Sequence, residues 1–296
     1  MSELTRRVLF GVIAAPLGVI VVFYGGWALA ALLAIVSALG AWEFFRIARA
    51  TGLTPMEDIG IPLAGVVPLF VHARYLRLYE LPLSAMAVAV LAILGITIFT
   101  RGVSGKPLGA AASTVFGVLY TGGMLSFGYA IRYHDYVIEG VRVPLGSVAV
   151  ASGGLLLLLP LLLTWASDIG AFFVGRAFGK QKLMPSVSPG KTVAGAIGGL
   201  VVTVIVGWLY TRFVLAPTTQ LAFVRGGVFI FGFLVSVAAQ VGDLAESLLK
   251  REAGMKDSSH IIPGHGGVLD RFDSLLFVLP VSYVLFNMLL VWAPTR

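Results

Sequence analysis

The chain has 296 residues, of which 58% are apolar and 12% are charged, and its mean hydropathy is +0.96. Water-soluble domains carry about 25% charged residues, so this composition excludes soluble globular, disordered and fibrous proteins and indicates a protein whose outer surface faces lipid. The net charge is +7. The sequence has no cysteine, and this absence excludes disulfides, thiolate metal sites, cysteine nucleophiles and covalent haem attachment.

The first apolar stretch, 8–42, runs for 35 residues without a charge, whereas one helix crosses a bilayer with about 20 residues. The Tyr-Gly-Gly sequence at 24–26 interrupts it and predicts a helical hairpin over 8–23 and 26–48. A cleaved signal peptide is the alternative, since two arginines precede the stretch and 28–30 has the small-x-small form. The apolar residues continue well beyond that tripeptide, which favours a retained membrane segment.

Seven further apolar segments raise the expected number of transmembrane helices to about nine. They cover 59–72, 82–99, 109–131, 147–178, 192–215, 222–249 and 272–293. The segment 59–72 is short and contains two prolines, which is typical of a tilted or re-entrant helix. The segment 147–178 is too long for one span and is either one helix or two that meet at a bend at Pro160. The sequence therefore predicts an all-α, polytopic integral membrane bundle.

Lysine and arginine are unevenly divided between the two sides of this nine-span scheme. One side carries 14 of them and the other carries 7. Cytoplasmic loops are enriched in these residues, so we expect a multi-pass protein of the cytoplasmic (inner) membrane whose N-terminus and richer loops face the cytoplasm.

Two pairs of glycines and two histidines lie outside the polar motifs. Gly122-Gly123 and Gly198-Gly199 have small neighbours, which favours close helix packing over a ligand site. His72 and His134 fall in predicted outer loops and are expected to be solvated.

The first polar region covers 164–195. Asp168 is an isolated acid in an apolar run, and Arg176 lies eight residues later near the same helix face, so an ion pair between them is the alternative to a functional role. Three lysines crowd the following loop. The sequence Ser-Pro-Gly-Lys-Thr at 188–192 then places a hydroxyl, a flexible glycine and a lysine at the expected start of the next helix, where anions bind readily. It is not a Walker A loop, because the Gly-x-x-x-x-Gly-Lys spacing is absent.

The second polar region, 240–274, is the most informative part of the chain. Asp243, Glu246, Ser247 and Lys250 are spaced three, four and seven apart and share one helix face. Two carboxylates at membrane depth are costly unless they meet a cation or line a wet cavity. We expect this helix to stop at Gly254.

A polar loop follows and ends in Pro-Gly-His-Gly-Gly at 263–267. Its three glycines allow backbone N–H groups to approach an anion closely, and the sequence suggests no packing reason for them. Asp270 and Asp273 then open the last helix, with Arg271 between them.

These acids and bases together are typical of one kind of site. Two pairs of acids with interleaved cations suit Mg²⁺ held by oxygen ligands and a polyphosphate held by the metal and the cations. The alternative is a cytoplasmic loop with solvated charges, in which Asp270 and Asp273 are favourable charges at a helix start. The Asp243/Glu246 pair lies in an apolar helix, which favours the site.

The segment 247–273 resembles, without a departure, the signature of the phosphatidate cytidylyltransferase (CDP-diacylglycerol synthase) family. It has Ser-x-Leu-Lys-Arg, then four residues, then Lys-Asp-x-Ser-x-x-Ile-Pro-x-His-Gly-Gly-Val-x-Asp-Arg-Phe-Asp. The segments 42–44, 165–180 and 188–195 also look like the family. One departure is Ala194, where family members commonly have glutamate.

This resemblance implies an integral membrane enzyme that condenses CTP with phosphatidic acid to give CDP-diacylglycerol and pyrophosphate. It implies a requirement for Mg²⁺, leaves open a second metal or a monovalent cation, and implies a homodimer in the lipid bilayer with no nucleic-acid partner. We expect the phosphate of phosphatidic acid to attack the α-phosphorus of CTP directly. We expect one domain over 1–296, with a less specific part, 1–146, and a catalytic half, 147–296.

The resemblance and the residue chemistry together assign roles to particular side chains. The expected metal ligands are Asp243, Glu246, Asp270 and Asp273. The expected catalytic residues are Asp243, Asp270, Lys250, Lys256 and Arg271. The expected substrate-binding residues are Asp168, Ser188, Lys191, Thr192, Arg251, His265, Gly266 and Gly267. Two alternatives are a cytidylyltransferase for another lipid phosphate, polyprenyl or ether lipid, and a cation-coupled transporter, which would also place acids inside a bundle.

Overall fold

The computed structural model describes residues 3–76, 78, 83–140, 146–262, 264 and 266–292, and these are almost entirely helical. The helices are α1 (Glu3–Tyr24), α2 (Gly26–Ala50), α3 (Glu57–Tyr75), α4 (Leu83–Thr100), α5 (Pro107–Val118), α6 (Met124–Arg132), α7 (Asp135–Gly140), α8 (Gly146–Phe178), α9 (Val193–Tyr210), α10 (Ala216–Thr219), α11 (Gly227–Glu252) and α12 (Leu269–Leu289). The π-helical turns Leu119–Gly123 and Thr211–Leu215 continue α5 into α6 and α9 into α10.

Four short strands form two antiparallel pairs. They are β1 (Lys182–Met184), β2 (Ser188–Thr192), β3 (Leu221–Phe223) and β4 (Leu290–Trp292). In the first pair Lys182 lies opposite Thr192, and in the second Leu221 lies opposite Trp292.

Each of the nine predicted apolar segments coincides with a helix or a continuous helical run. Among the described residues, six helical runs are long and apolar enough to cross a membrane: Gly26–Ala50, Pro107–Val137, Ser152–Phe178, Val193–Thr219, Gly227–Glu252 and Leu269–Leu289. Two shorter apolar helices are Gly11–Tyr24 and Ala87–Thr100. The ninth predicted segment is α3, a 19-residue helix that contains Pro62 and Pro68. The prediction of a helical, multi-pass membrane protein is confirmed.

Helix α8 settles whether 147–178 is one helix or two. It is a single helix of 33 residues that continues through Pro160. The Thr164 hydroxyl donates to the Pro160 carbonyl at 2.9 Å, one turn later. At 1.5 Å per residue the helix is about 50 Å long, which exceeds the hydrocarbon thickness of about 30 Å.

The chain forms two compact units, each built from three segments. The first comprises Met1–Ala14, Gly26–Tyr129 and Leu249–Phe272, and the second comprises Ala15–Gly25, Ala130–Leu248 and Asp273–Arg296. The expectation of one domain over 1–296 stays a prediction.

Glycines bring helices together within each unit, as predicted from the glycine pairs. In the first unit, a Cβ on Gly122 would meet the backbone of Ala64 on α3. In the second unit, a Cβ on Gly198 or Gly199 of α9 would meet Val174 or the Ser167 carbonyl of α8. A neighbouring backbone leaves no room for a Cβ at Gly122 and Gly199, and the Val174 side chain fills that space at Gly198.

The two histidines are buried, so the prediction that they are solvated was wrong. His72 lies within α3, where its Nδ1 is 2.5 Å from the Tyr129 hydroxyl and its ring packs edge-on against Trp27. His134 is covered by aromatic rings, one of them the stacked ring of Tyr136. Rings from other helices, α12 among them for His134, enclose groups that a loop prediction leaves in water.

Candidate active site

The structure places several predicted site residues, together with neighbours that were not predicted, in two ion-pair clusters, each within one unit. The first, which we call the hairpin cluster, comprises Ser188, Lys191, Thr192, Asp243 and Ser247. The second, the loop cluster, comprises Glu43, Lys250, Ser258, Gly267 and Asp270. Helix α11 contributes Asp243 and Ser247 to the hairpin cluster and Lys250 to the loop cluster.

The hairpin cluster begins with the β1–β2 hairpin. The motif 188–192 was expected at the start of a helix, but it forms β2, and α9 begins at the next residue, Val193. Thr192 is buried and caps α9 by accepting a hydrogen bond from the Gly195 N–H at 3.1 Å. A Cβ at Gly179 would collide with the Thr192 hydroxyl. Glycine therefore allows the end of α8 to pack against the base of the hairpin.

The ion pair of this cluster joins β2 to α11. Lys191 Nζ lies 2.6 Å from Asp243 Oδ2, and the two side chains are 27% and 33% exposed. The Ser247 hydroxyl lies 3.4 Å from Asp243 Oδ1, one turn along α11. A partly exposed pair of this kind is open to exchange, because a phosphate can replace the carboxylate as the partner of the lysine.

The ion pair of the loop cluster is nearly enclosed. Lys250 Nζ, in the last turns of α11, lies 2.6 Å from Asp270 Oδ1 in the first turn of α12, and the side chains are 10% and 7% exposed. Asp270 Oδ2 accepts three further hydrogen bonds, from the Ser258 N–H at 3.0 Å, the Ser258 hydroxyl at 2.9 Å and the Gly267 N–H at 2.8 Å. Asp270 thus fixes both ends of the connection between α11 and α12.

Glu43 lies in the segment 42–44 that resembles the family, but sequence reasoning gave it no role in the site. It lies fully buried in α2. Its Oε1 accepts from the Ser259 hydroxyl and the Val268 N–H, and its Oε2 accepts from the Ser258 hydroxyl and the Leu269 N–H. The available signal was a lone carboxylate inside an apolar helix, which the sequence shows directly before Phe44.

One glycine of the loop, Gly267, does bring its N–H group to an anion, and that anion is a carboxylate of the protein itself. The Gly267 N–H donates to Asp270. A Cβ on Gly267 would collide with the Ser258 hydroxyl and both oxygens of Glu43. Gly264 and Gly266 adopt φ values of 76° and 82°, which favour glycine. Packing and backbone conformation therefore account for glycines that the sequence left unexplained.

Gly267→Ala is expected to lower the free energy of unfolding by about 1–3 kcal/mol, the usual cost of forcing extra volume into a packed site. Thermal unfolding of the purified protein in detergent measures this change. Gly95→Ala on α4 is the matched control in the same unit, since a Cβ there meets nothing within 4 Å. Equal unfolding temperatures for the two variants would show that the loop has room for a side chain at Gly267.

The other predicted residues are placed as follows. Glu246 is fully buried on α11, and Asp273 is partly exposed and accepts the Ser274 N–H at 2.6 Å. Asp168 is exposed on α8. Ser188 and Gly266 are partly exposed. The exposed cations are Arg251, Lys256 and Arg271, of which Arg251 donates to the Met255 carbonyl at 2.9 Å. His265 lies outside the described residues.

The described acids that were predicted to bind metal do not form a preassembled metal-binding site. In the part of the chain that the structure describes, no three His, Cys, Asp or Glu residues are grouped to hold a metal ion. The ligand roles of Asp243, Glu246, Asp270 and Asp273 therefore stay a prediction.

Comparison with known proteins points to one family. Residues 5–289 match the family model described as the cytidylyltransferase family. Phosphatidate cytidylyltransferase of Synechocystis sp. is 30% identical, over 97% of this chain and 97% of the relative. The protein of the same name from Bacillus subtilis is 30% identical over 96% and 98%, and that from Pseudomonas aeruginosa is 37% identical over 83% of each chain.

Proposed function

The chain belongs to the cytidylyltransferase family, and we propose that it catalyses the reaction of CTP with phosphatidic acid to give CDP-diacylglycerol and pyrophosphate. It is a nucleotidyltransferase and a multi-pass membrane protein. The match to curated relatives named phosphatidate cytidylyltransferase, over nearly the full length of both chains, carries the proposal.

The proposed chemistry is one displacement at phosphorus. A phosphate oxygen of phosphatidic acid forms a bond to the α-phosphorus of CTP, and the bond from that phosphorus to the oxygen that bridges to the β-phosphorus breaks. Pyrophosphate leaves with the electron pair of the broken bond. Because the lipid phosphate is itself the nucleophile, the protein supplies positioning and charge neutralisation and forms no covalent intermediate.

The hairpin cluster is suited to binding phosphate. We propose that Lys191 exchanges its partner Asp243 for a substrate phosphate, and that Ser188 of the same strand donates to that phosphate. The partial exposure of both members of the ion pair supports this exchange. The exposed cations Arg251, Lys256 and Arg271 are proposed to neutralise the triphosphate and the departing pyrophosphate.

Lys250 has a different proposed role. Its ammonium group already neutralises Asp270 in a nearly enclosed pair, and separating such a pair leaves an uncompensated buried charge. We therefore propose that Lys250 and Asp270 hold the loop and its exposed cations in position, while other cations contact the substrate phosphates.

Mg²⁺ fits the donor chemistry of Asp243. The ion usually binds one or two carboxylates and completes its shell with water and substrate phosphates, so a cage of protein acids is not required. The Asp243 carboxylate is partly exposed, whereas Asp270 already accepts four hydrogen bonds. We propose Asp243 as the protein ligand, and the bound ion would neutralise phosphate charge and polarise a phosphoryl oxygen.

The membrane and the assembly are proposed on other grounds. Lysine and arginine are in excess in the loops on one side of the nine-span scheme, which supports a protein of the inner membrane whose N-terminus and site face the cytoplasm. CTP is available on that side. A homodimer is proposed from the family resemblance.

Purified protein in lipid nanodiscs tests the reaction directly. Pyrophosphate and CDP-diacylglycerol are expected in equal amounts, and only when CTP, phosphatidic acid and Mg²⁺ are all present. Removal of the metal with EDTA is expected to reduce the signal to background, and added Mg²⁺ should restore it. Pyrophosphate release without lipid would contradict the proposal, as would a preference for polyprenyl or ether-lipid phosphates in a matched panel.

A further inference from the structure

The carboxylate of Glu43 is hydrogen-bonded to both ends of the loop that connects α11 to α12. Its four donors come from the two ends of the segment 258–269, namely the hydroxyls of Ser258 and Ser259 and the N–H groups of Val268 and Leu269. One turn further along α2, Arg46 donates to the Ser258 carbonyl at 3.2 Å. Side chains of α2 therefore determine where the loop begins and where α12 starts.

The contacts of Glu43 use the acceptor capacity of its side chain. A carboxylate offers about four acceptor sites, and four donors surround this one. A buried charge is tolerated when it is hydrogen-bonded in this way. Two of the donors are N–H groups at the start of α12, the end of a helix that favours negative charge. Glu43 is thus a buried anion that is satisfied entirely by the loop and the start of α12.

Ser258 links Glu43 to the ion pair of the loop cluster. Its hydroxyl lies 2.8 Å from Glu43 Oε2 and 2.9 Å from Asp270 Oδ2, so one hydrogen serves two carboxylates. The N–H of the same serine also donates to Asp270, which in turn holds Lys250. A continuous set of hydrogen bonds therefore runs from α2 through Ser258 to Asp270 and Lys250.

We propose that Glu43 is a positioning residue for the reaction. It acts through Ser258 and the first turn of α12 on Asp270 and Lys250, and it holds the segment that presents the exposed cations Lys256 and Arg271. This inference rests on the proposed function. Glu43 contacts no substrate, so its loss should disturb the arrangement required in the transition state more than the binding of substrates.

The experiment compares Glu43→Gln with Glu57→Gln. Glutamine has nearly the same shape, but in either orientation its NH₂ group faces a backbone N–H, that of Val268 or of Leu269, which loses its acceptor. Losing hydrogen bonds to a charged group costs about 1.5–3 kcal/mol, so kcat is expected to fall about 10- to 100-fold. Glu57 lies in the same unit and pairs with exposed Arg49. Such a surface pair contributes little, so the control should change kcat by less than about twofold.

Two further readouts separate positioning from general loss of structure. The KM values for CTP and phosphatidic acid are expected to change by less than about threefold, because an interaction made in the transition state lowers kcat and kcat/KM together. Trypsin cleavage after exposed Lys256 should accelerate in Glu43→Gln and stay unchanged in Glu57→Gln. Glu43→Asp keeps the charge and should recover part of both losses.

The outcomes decide the inference. An unchanged kcat in Glu43→Gln, a raised KM with normal kcat, or an activity loss that matches only the unfolded fraction would overturn it. If the wild-type protein releases no pyrophosphate from CTP and phosphatidic acid, the proposed function fails. Cleavage after Lys256 then decides by itself whether Glu43 positions the loop, and equal cleavage in both variants would overturn that role.

Discussion

Asp243→Asn is expected to lower kcat by about 10²- to 10³-fold, the usual effect of removing one preorganised electrostatic partner from an active site. The variant loses the charge that pairs with Lys191 at 2.6 Å and that would bind Mg²⁺. Because both side chains are partly exposed, water can solvate the lysine that remains. The free energy of unfolding should therefore change by less than about 1 kcal/mol.

Steady-state kinetics and thermal unfolding of the same preparation measure the two effects. Asp58→Asn is the matched control, since Asp58 is exposed in the first turn of α3. It should leave both quantities unchanged. Near-normal CTP-dependent turnover in Asp243→Asn would refute the role of Asp243, and a large loss of stability would show that the ion pair is structural.

Asp270→Ala is expected to remove activity and to destabilise the fold by about 3–5 kcal/mol, the cost of leaving one partner of a buried ion pair uncompensated. The variant leaves the Lys250 ammonium, on a side chain that is 10% exposed, without the Asp270 carboxylate. It also removes the acceptor for the Ser258 and Gly267 N–H groups. Lys250→Met should cost less stability, because Asp270 keeps three other donors.

The double variant Lys250→Met/Asp270→Ala provides the sharper test. It contains no unpaired buried cation, so it should be more stable than Asp270→Ala while remaining inactive. Thermal midpoints of the four proteins, together with kcat, complete the comparison. A double variant that is less stable than Asp270→Ala would show that Lys250 is not the source of the instability.

The sequence predicts the membrane helices well because each depends on its own apolar composition. It also identified Lys191, Asp243, Lys250 and Asp270, and the structure pairs Lys191 with Asp243 in one unit and Lys250 with Asp270 in the other. Their metal-binding and catalytic roles remain predictions. The pairing itself was not predictable, because it requires contact between residues on different elements.

Three features of the structure were not predicted from the sequence. Glu43 contacts Ser258 and Leu269, which are 215 and 226 residues away, so no local pattern reveals its partners. The segment 188–192 leads into a helix as expected, with Thr192 as its N-cap, but its pairing with β1 as a strand was not predicted. The burial of His72 depends on aromatic residues from other parts of the chain. The contacts of Glu43 and His72 exist only after distant segments meet, whereas the strand pairing at 188–192 is a local hairpin that its Pro and Gly residues do not reveal as a strand.

The distance between Glu43 and its partners also bears on the synthesis of the protein. Helix α2 emerges from the ribosome 215 residues before Ser258, an interval of about 10–40 s at 5–20 residues per second. During that time a carboxylate destined for the protein interior has none of its four final donors. Membrane insertion of the N-terminal helices must therefore tolerate a polar group that only the end of the chain satisfies.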